Sequence, residues 1–303
     1  MSDSQFQVLL YYKYVSIDNP EAVMSEQRLL CSALNLAGRI IVSKEGINGT
    51  IEGTIDNTER YIAYMEKNEM FAGIHYKKSP GDGNAFPKLS VKVRDEIVTS
   101  DVPNLNPNKV TGKYITADEL HQWFTDKKEF YIVDMRNEYE YISGFFEGTI
   151  FSGFQNFKDL PGIVEKLNHL RGKTIVTVCT GGVRCEKASG FLVQSGFNDT
   201  YQLLDGIQTY MEKYPNTHFK GKLYVFDNRL TIGFNTDDPN HEIVGTCMHC
   251  GTKADTYVNC MNHACHLHFI SCKNCLDPET GLAFCSDTCK EIRRAKDAFA
   301  SVA

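Results

Sequence analysis

The placement of the cysteines constrains this chain more than any other feature of its sequence. Eight of the eleven cysteines lie between residues 247 and 289 of a chain of 303 residues. A segment of this size cannot stabilise itself by apolar burial alone, so its folding must depend on what the thiols bind. The eight cysteines form four close pairs: Cys247/Cys250, Cys260/Cys265, Cys272/Cys275 and Cys285/Cys289.

Closely spaced thiol pairs are typical of structural zinc sites, which four ligands close as a tetrahedron. Eight thiols therefore predict two structural Zn²⁺ ions in residues 241–303, a module that can also dock a protein partner. Consecutive pairs can share an ion, or alternate pairs can interleave, and the sequence leaves both arrangements open. Three nearby histidines are expected to stay outside both sites, because eight cysteines suffice: His263, His266 and His268.

Composition limits the compartment and the partners. No apolar run approaches the ~20 residues that span a bilayer, and the polar start of the chain lacks the pattern of a secretory signal. We therefore expect a cytoplasmic protein without a membrane partner, in which a disulfide framework is disfavoured. The formal net charge is −6 and no segment forms a basic arm, so we expect no DNA partner; an RNA partner requires a local basic face.

Residues 1–100 are predicted to form a ferredoxin-like (acylphosphatase-like) α+β domain. Apolar runs at 8–12 and 39–42 indicate strands, and helical patterns cover 20–34 and 56–67. In residues 88–98 apolar and charged residues alternate, which indicates a further strand. The predicted order is strand, helix, strand, helix, strand, strand, with a helix pair on one face of an antiparallel sheet.

The rest of the chain divides into a predicted linker at 101–115, a parallel α/β domain at 116–240 and the cysteine-rich module. Thr116 and Glu119 have the spacing of a capping box at the start of the α/β domain. Ligands of such sheets bind beyond the carboxyl ends of the strands. The predicted strands are 130–134, 149–151, 174–178 and 201–204, and the predicted helices begin near 116, 138, 160, 186 and 206.

Cys179 ends an apolar run and is followed at once by a helix, within the stretch CTGGVRCEK. The loop amides and the helix N-terminus create a positive field there, to which Arg184 adds a cation. This field favours the thiolate, so we predict Cys179 as a nucleophile and Arg184 as its partner in catalysis. Four residues form the predicted anion-binding cup: Thr180, Gly181, Gly182 and Val183.

Other interpretations start from the same loop. An isolated cysteine is usually buried and inert, but two glycines and an arginine beside it favour a reactive thiol. A cysteine phosphatase places its arginine six residues after the cysteine, where this chain has Cys185, so hydrolysis of phosphate esters is disfavoured. Cys185 either takes part in catalysis, by resolving a disulfide or persulfide on Cys179, or packs at the start of the helix.

Residues 115–215 resemble a rhodanese domain. The resemblance places Cys179 at the nucleophile or persulfide position, and it assigns Asp134 and Arg136 to an Asp-x-Arg motif that contributes to substrate binding. Asp205 stands where the family often has the second glycine of a Leu-x-Gly-Gly turn. Three stretches carry the resemblance: FYIVDMRNEYEYISGFFEGTI (130–150), VTVCTGGVRCEKAS (176–189) and YQLLDGIQTY (201–210).

Over a longer span the chain resembles the tRNA uridine(34) hydroxylase family, by CTGGVRCEK together with KEGINGT (44–50), LSVKVRDEIV (89–98) and YVFDNRL (224–230). The resemblance implies that molecular oxygen is a co-substrate and that the wobble uridine, in the anticodon loop of tRNA, becomes 5-hydroxyuridine. It makes four residues of the first domain candidate RNA contacts: Lys44, Asn48, Lys92 and Arg94.

The residues by themselves do not predict hydroxylation. The sequence has no dinucleotide fingerprint and no clear set of two histidines and a carboxylate, so we expect neither a nucleotide or flavin cofactor nor catalytic iron. Addition of the Cys179 thiolate to C6 of uracil would make C5 electron-rich. Two other functions stay open: a sulfurtransferase that carries a persulfide on Cys179, and a non-catalytic scaffold that binds an anion and a partner.

Overall fold

The first domain is a five-stranded sheet with two helices on one face. The structure is a computed structural model that describes residues 4–265 and 267–300. The elements of this domain are β1 (Phe6–Tyr14), α1 (Pro20–Ala33), β2 (Ala37–Ser43), β3 (Gly46–Thr54), α2 (Ile55–Glu66), β4 (Lys77–Gly81) and β5 (Leu89–Val93).

The sheet has the strand order β4-β1-β3-β2-β5. β2 and β5 are parallel, and the other neighbours are antiparallel. Alternation along β1 buries Leu9 and Tyr11 in the core beneath the helices, and it turns Leu10 and Tyr12 to the opposite face. That opposite face lies against the second domain, because Leu10 and Tyr12 approach the loop after Cys179.

The ferredoxin-like prediction is confirmed, with one strand more than expected. The predicted order contains no strand at residues 46–54, where β3 pairs with both β1 and β2. β3 has glycine at three of its nine positions, Gly46, Gly49 and Gly53. Glycine is depleted in strands, so the sequence pattern indicates a turn where the sheet has a central strand.

The second domain is a parallel α/β sheet, as predicted. Its elements in chain order are β6 (Lys113–Ile115), α3 (Ala117–Thr125), β7 (Tyr131–Asp134), α4 (Glu138–Tyr141), β8 (Gly144–Phe146), β9 (Ile150–Phe151), α5 (Ile163–Lys166), β10 (Ile175–Val178), α6 (Val183–Gln194), β11 (Thr200–Leu203) and α7 (Gly206–Lys213).

The strands of the second sheet follow the order β6-β11-β10-β7-β9, and all neighbours are parallel. β10 is central and buried at all four positions, so Cys179 leaves the middle of the sheet at its carboxyl edge. The capping box is present, since Thr116 Oγ1 accepts a hydrogen bond from the Glu119 amide at 3.1 Å. The predicted helix at 160–170 is instead two 3₁₀ turns around α5, the first of which contains Pro161.

The stretch predicted as a linker packs on the second domain. Leu105 is buried in the same apolar cluster as Val133, and β6 adds a fifth strand beside β11. Helix α6 begins at Val183, three residues before the predicted start at residue 186. The helix N-terminus therefore lies next to Cys179, closer than the sequence pattern indicates.

The remaining elements are short strands and one helix of 14 residues. β12 (Phe219–Gly221) pairs with β8, β13 (Leu223–Tyr224) with β14 (Thr231–Ile232), and β15 (Tyr257–Asn259) with β16 (His268–Ile270). All three pairs are antiparallel. Within residues 4–265 and 267–300, no helix has the length and apolar character needed to cross a membrane. The helix is α8 (Asp287–Ala300).

Candidate active site and metal centres

Cys179 lies at the carboxyl end of β10, directly before the N-terminus of α6. Its side chain is fully buried, and the Gly182 amide donates a hydrogen bond to its sulfur at 3.2 Å. Gly182 is the residue before the first turn of α6 and has a φ of +100°, a left-handed conformation that suits glycine. The helix N-terminus and the loop amide thus point at one sulfur atom.

The surroundings of Cys179 stabilise its thiolate. Burial opposes ionisation, but a hydrogen bond from the Cys185 thiol, the charge of Arg184 and the amides of Cys185 and Gly182 outweigh it and lower the pKa of Cys179 to about 6. Burial and the hydrogen bond to Cys179 raise the pKa of Cys185 well above its ordinary value. The pair therefore consists of one reactive thiolate and one thiol that stays protonated.

Arg184 is held in place by a buried carboxylate. Its Nη1 and Nη2 atoms donate to the two oxygens of Glu140 at 2.5 and 2.8 Å, and Nη2 also lies 3.3 Å from Thr180 Oγ1. The guanidinium carbon lies 5.7 Å from the centroid of the Phe226 ring. Arg184 thus contributes its charge from a fixed position, and the fork of two hydrogen bonds to Glu140 sets that position.

The first domain closes the loop into a cavity of about 320 Å³. A side chain at Gly181 would lie 2.7 Å from Leu10 Cδ2, and one at Gly182 would lie 2.8 Å from Tyr12 Oη, so glycine at both positions permits this close approach. The cavity has the size of a small-molecule or single-nucleotide site. Its lining comes from both domains and from the segment after the second sheet: Leu10, Tyr12, Arg39, Ile41, Asn48, Gly49, Thr50, Phe86, Val98, Asn137, Phe157, Cys179, Thr180, Gly181, Val183, Arg184 and Phe226.

Asp134 and Arg136 do not line this cavity, and their contribution to substrate binding stays a prediction. Both side chains have no exposed surface. Arg136 donates to Asp134 through Nε and Nη2, at 2.9 and 2.6 Å, and to the carbonyl oxygens of Gly144 and Glu140. The pair therefore fixes the backbone around α4, the helix that carries Glu140, the partner of Arg184.

Two charged residues of α6, which the sequence argument missed, join the domains. Lys187 is fully buried and pairs with Glu45 at 2.9 Å and with Glu96 of the first domain. Glu186 is also buried and accepts hydrogen bonds from Tyr12 and Tyr114, both at 3.1 Å. The signal available in the sequence is two charged residues directly after a reactive loop, in a helix whose other residues are mostly small or apolar.

Asp205 provides a second contact between the domains. It adopts a left-handed φ of +62° at the start of α7. Its carboxylate lies 2.8 Å from His75 Nδ1 and 3.3 Å from the Nζ atom of buried Lys77, both from the first domain. The residue that departs from the second glycine of the rhodanese turn thus carries a side chain that binds the neighbouring domain.

Of the four candidate RNA contacts, Asn48, Lys92 and Arg94 lie on the cavity side of the first sheet, and Lys44 lies away from the cavity. Asn48 lines the cavity, and its amide donates to the Ile97 carbonyl at 3.1 Å. Lys44 is exposed at the turn between β2 and β3, away from the cavity lining. Lys92 lies opposite Ile41 in the register of β5 and β2, so it shares the cavity-facing side of the sheet, and alternation places Arg94 on that side too.

A cationic stripe continues the cavity floor to the free edge of the sheet. Alternate residues from Lys88 to Arg94 face the same side of β5 and its ends, and Arg39 on the next strand lines the cavity itself. Within the described part of the chain, none of the stripe's basic side chains forms a salt bridge. We call this set the β5 stripe: Arg39, Lys88, Lys92 and Arg94.

The eight tail cysteines form two groups, each made of alternate pairs. In both groups the four sulfurs lie within 4.8 Å of one another. Tetrahedral Zn–S bonds of ~2.3 Å would place the sulfurs ~3.8 Å apart, and the Cys250–Cys272 and Cys265–Cys285 distances are both 3.6 Å. Each group can hold a metal ion, in the interleaved arrangement: Cys247, Cys250, Cys272 and Cys275 in one, Cys260, Cys265, Cys285 and Cys289 in the other.

The histidines near the groups make other contacts. His263 Nε2 lies 2.9 Å from Arg293 Nη1, and His268 stacks on Tyr257 at a centroid distance of 4.8 Å. Neither belongs to a four-sulfur group. His266 lies outside the described residues.

The cysteine-rich module contacts the second domain at α4. Tyr257 of β15 donates a hydrogen bond of 2.5 Å to the carbonyl oxygen of Tyr139, next to Glu140. Lys222 pairs with Asp255 at 2.7 Å. The segment that carries Lys222 also reaches the first domain, because Arg229 donates to Ser79 Oγ and to the Pro80 carbonyl oxygen. The three parts of the chain therefore meet around the cavity.

Three family models match successive parts of the chain. An acylphosphatase-like domain described as UPF0176 matches residues 6–97, a rhodanese-like domain matches 116–213, and a rhodanase C-terminal region matches 220–290. Together they cover the first domain, the second domain and most of the cysteine-rich module.

Curated relatives match almost the whole chain. A tRNA uridine(34) hydroxylase of Cytophaga hutchinsonii is 40% identical over 285 residues, which are 94% of this chain and 90% of the relative. One of Staphylococcus carnosus is 40% identical over 294 residues, 95% and 91% of the two chains. Among solved structures, a rhodanese-related protein of Thermoplasma volcanium is 26% identical, with a TM-score of 0.29, covering 34% of this chain and 93% of its own.

Proposed function

Because the chain belongs to the tRNA uridine(34) hydroxylase family, we propose that it converts uridine 34 of tRNA to 5-hydroxyuridine with molecular oxygen as co-substrate. The observation that carries the proposal is the cavity between the domains, in which a thiolate with a pKa of about 6 meets aromatic and amide side chains. These are the groups needed to hold a flat polar base and to attack it.

The cavity suits a single base that has left its stack. Tyr12, Phe86 and Phe226 offer aromatic faces, while Asn48 and Thr50 offer polar atoms. Anticodon bases are already exposed in the loop, so extrusion of one base costs less there than in a duplex. Stacking and a few hydrogen bonds then orient its ring against the sulfur.

Cys179 is the nucleophile of the proposed reaction. Its thiolate adds to C6 of the uracil, and the electron pair of the C5–C6 double bond moves toward C5 and O4, which makes C5 reactive toward oxygen. After one oxygen atom has bonded to C5, loss of the C5 hydrogen as a proton restores the double bond and expels Cys179 from C6. Arg184 stabilises the thiolate before addition and after release.

Cys185 completes the electron balance. Insertion of one atom of O₂ into the C5–H bond leaves the other atom to become water, which takes two electrons and two protons. Oxidation of the Cys179 thiolate and the Cys185 thiol to a disulfide releases two electrons and one proton, solvent supplies the second proton, and the O–O bond breaks in this reduction. An external thiol then restores the pair. The hydrogen bond between the two sulfurs supports this proposed role of Cys185.

The β5 stripe is the surface proposed for the RNA backbone, with Lys44 as a contact farther along the same domain. Phosphate contacts by Lys and Arg fix the register of an RNA, and they make binding depend on salt. Lys92→Gln is expected to weaken tRNA binding and to lower the slope of log affinity against log salt by about 1, which filter binding across a salt series measures. Lys67→Gln, an exposed charge on the helix-covered side, is the control and should leave the slope unchanged.

The two four-sulfur groups are proposed to hold structural Zn²⁺. Four thiolates around each ion leave no open coordination position for substrate, which is typical of structural and not catalytic zinc. The module contributes to the site indirectly, because Tyr257 donates a hydrogen bond to the carbonyl oxygen of Tyr139, the residue before Glu140. Residence in the cytoplasm and a protein partner for the module belong to the same proposal.

Nucleoside mass spectrometry of tRNA from cells lacking this gene tests the function. Wild type should restore 5-hydroxyuridine and its derivatives, and Cys179→Ala should not, because the nucleophile cannot be replaced. Persistence of 5-hydroxyuridine without the gene would refute hydroxylation, and a fall in thiolated nucleosides instead would favour the sulfurtransferase. Restoration by Cys179→Ala would favour the scaffold.

A further inference from the structure

A chain of three side chains leads from the cavity to solvent. Tyr12 lines the cavity, and its hydroxyl donates to the buried Glu186 carboxylate at 3.1 Å. Tyr114, half exposed at the edge of the second sheet, donates to both oxygens of Glu186 at 3.1 Å. The hydroxyl of Thr111 and the amide of Gln202 lie 3.1 and 3.0 Å from the same carboxylate.

The Tyr12 hydroxyl and the Cys179 sulfur both approach Gly182. The Gly182 amide is 3.2 Å from the sulfur, and a side-chain carbon at Gly182 would lie 2.8 Å from Tyr12 Oη. Tyr12 and Cys179 also line the same cavity, so a base whose C6 is bonded to Cys179 shares that cavity with the Tyr12 side chain.

The proposed hydroxylation needs a group that takes the C5 hydrogen as a proton. The described residues that line the cavity include four titratable side chains: Tyr12, Arg39, Cys179 and Arg184. Arginine does not give up its proton near neutral pH, so neither arginine can accept another, and Cys179 is bonded to C6 at this stage. Tyr12 remains as the proton acceptor.

Tyr12 can act as a base only if its own proton leaves at the same time. Burial, together with the nearby charges of Glu186 and Cys179, raises its pKa well above the ordinary value, so tyrosinate does not accumulate. Glu186 is hydrogen-bonded to that proton and can receive it. Tyr114 then connects Glu186 to water.

We propose, on the basis of the proposed function, that Tyr12 removes the C5 hydrogen of uridine 34, with Glu186 as the positioning residue that receives the tyrosine proton. The C5–H electron pair re-forms the C5–C6 double bond, and the C6–S bond breaks to regenerate the Cys179 thiolate. One proton enters at Tyr12 and one leaves through Glu186 and Tyr114, so charge is balanced and no electrons are lost.

A further activity follows from this arrangement. Without oxygen, water occupies the place of the oxidant and delivers a proton to C5 of the Cys179 adduct, and Tyr12 removes the original hydrogen from the opposite face. The uridine is regenerated with one solvent hydrogen at C5, and no oxidant is consumed. The enzyme therefore exchanges the C5 hydrogen of uridine 34 with solvent under anaerobic conditions.

The test incubates the full-length, metal-replete protein with unmodified tRNA in deuterated water without oxygen, and mass spectrometry then measures deuterium at C5 of uridine 34. Wild type should incorporate deuterium, and Cys179→Ala should not. Tyr12→Phe and Glu186→Gln should each slow exchange by ~10²-fold or more, the usual contribution of a positioned acid or base. For Glu186→Gln the loss should fall on kcat, with KM for tRNA unchanged.

Tyr14→Phe is the matched control. Tyr14 lies on the same strand and donates to the Val183 carbonyl of the same loop, but it does not line the cavity. This variant should exchange within about twofold of wild type, and alkylation of Cys179 should show that the loop is intact in all variants. Hydroxylation in air without anaerobic exchange, or full exchange by Tyr12→Phe, would overturn this inference and leave the proposed function standing. Absence of hydroxylation in air would overturn both this inference and the proposed function.

Discussion

The two cysteine-rich regions of this molecule use the same side chain in opposite ways. Cys179 is completely buried beside one cation and one thiol donor, and its sulfur stays free to react. Each tail group instead brings four thiols together, and Cys250 and Cys265 in them are exposed. The arrangement of the thiols therefore differs between the two regions: a single thiol with a lowered pKa is proposed to act as a nucleophile, and each group of four thiols can hold a metal ion.

Removal of a metal ligand is expected to have the largest effect. Cys250→Ser should lose one of two bound ions and destabilise the module, because structural zinc contributes on the order of 10 kcal/mol to the folding of such segments. Metal analysis and thermal unfolding measure the change. Cys31→Ser, a lone cysteine buried in the first domain, should keep both ions, and loss of metal from that control would blur the distinction between the regions.

Replacement of the cation beside Cys179 should have an intermediate effect on the other region. Arg184→Gln removes a positive charge and leaves Glu140 without its partner, and both changes raise the pKa of Cys179. The thiolate is then lost at a higher pH as the solution is acidified. The alkylation rate of the wild type should be half-maximal near pH 6, and the variant midpoint should lie ~1–3 units higher.

The control for this variant is metal content, which should stay at two ions per chain because Arg184 contacts neither tail group. An unchanged midpoint would mean that the Cys185 thiol and the loop amides stabilise the thiolate without Arg184. The midpoint is measured with an excess of alkylating reagent on metal-replete protein, so that the tail thiols are protected.

The smallest effect is expected at the contact between the two regions. Tyr257→Phe removes one hydrogen bond to the Tyr139 carbonyl and should lower the free energy of unfolding by about 1 kcal/mol, with both ions retained. If the regions are coupled through α4, the alkylation midpoint of Cys179 should move slightly upward. Chemical denaturation and the alkylation profile measure the two quantities, and a midpoint identical to that of wild type would make the regions independent.

The sequence predicts the environment of Cys179 well, because a strand end, two glycines and a helix start are consecutive in the chain. It does not predict what approaches from elsewhere. Tyr12 and Phe226 complete the cavity from positions more than forty residues away, and nothing near either residue indicates this. Interleaving of the cysteine pairs is likewise a matter of how β15 and β16 fold together, since pair spacing is compatible with either arrangement.

Charged residues were the most difficult to interpret from sequence. Asp134 and Arg136 match a motif expected to bind substrate, yet they satisfy each other in the interior. Glu186 and Lys187 have the composition of a solvated helix face, yet both are buried against the first domain. The local sequence identifies a charged residue. Only the packing of the domains shows whether that charge contacts solvent, substrate or another buried charge.

The Phe226 wall of the cavity has a consequence for synthesis of the protein. The cavity uses Tyr12 near the beginning of the chain, Cys179 in the middle and Phe226 well toward the end. Domains fold in order as they leave the ribosome, so the first sheet and the reactive loop exist before their common wall does. A nascent chain therefore carries an open, incomplete pocket, and the thiolate is enclosed only after Phe226 has left the ribosome.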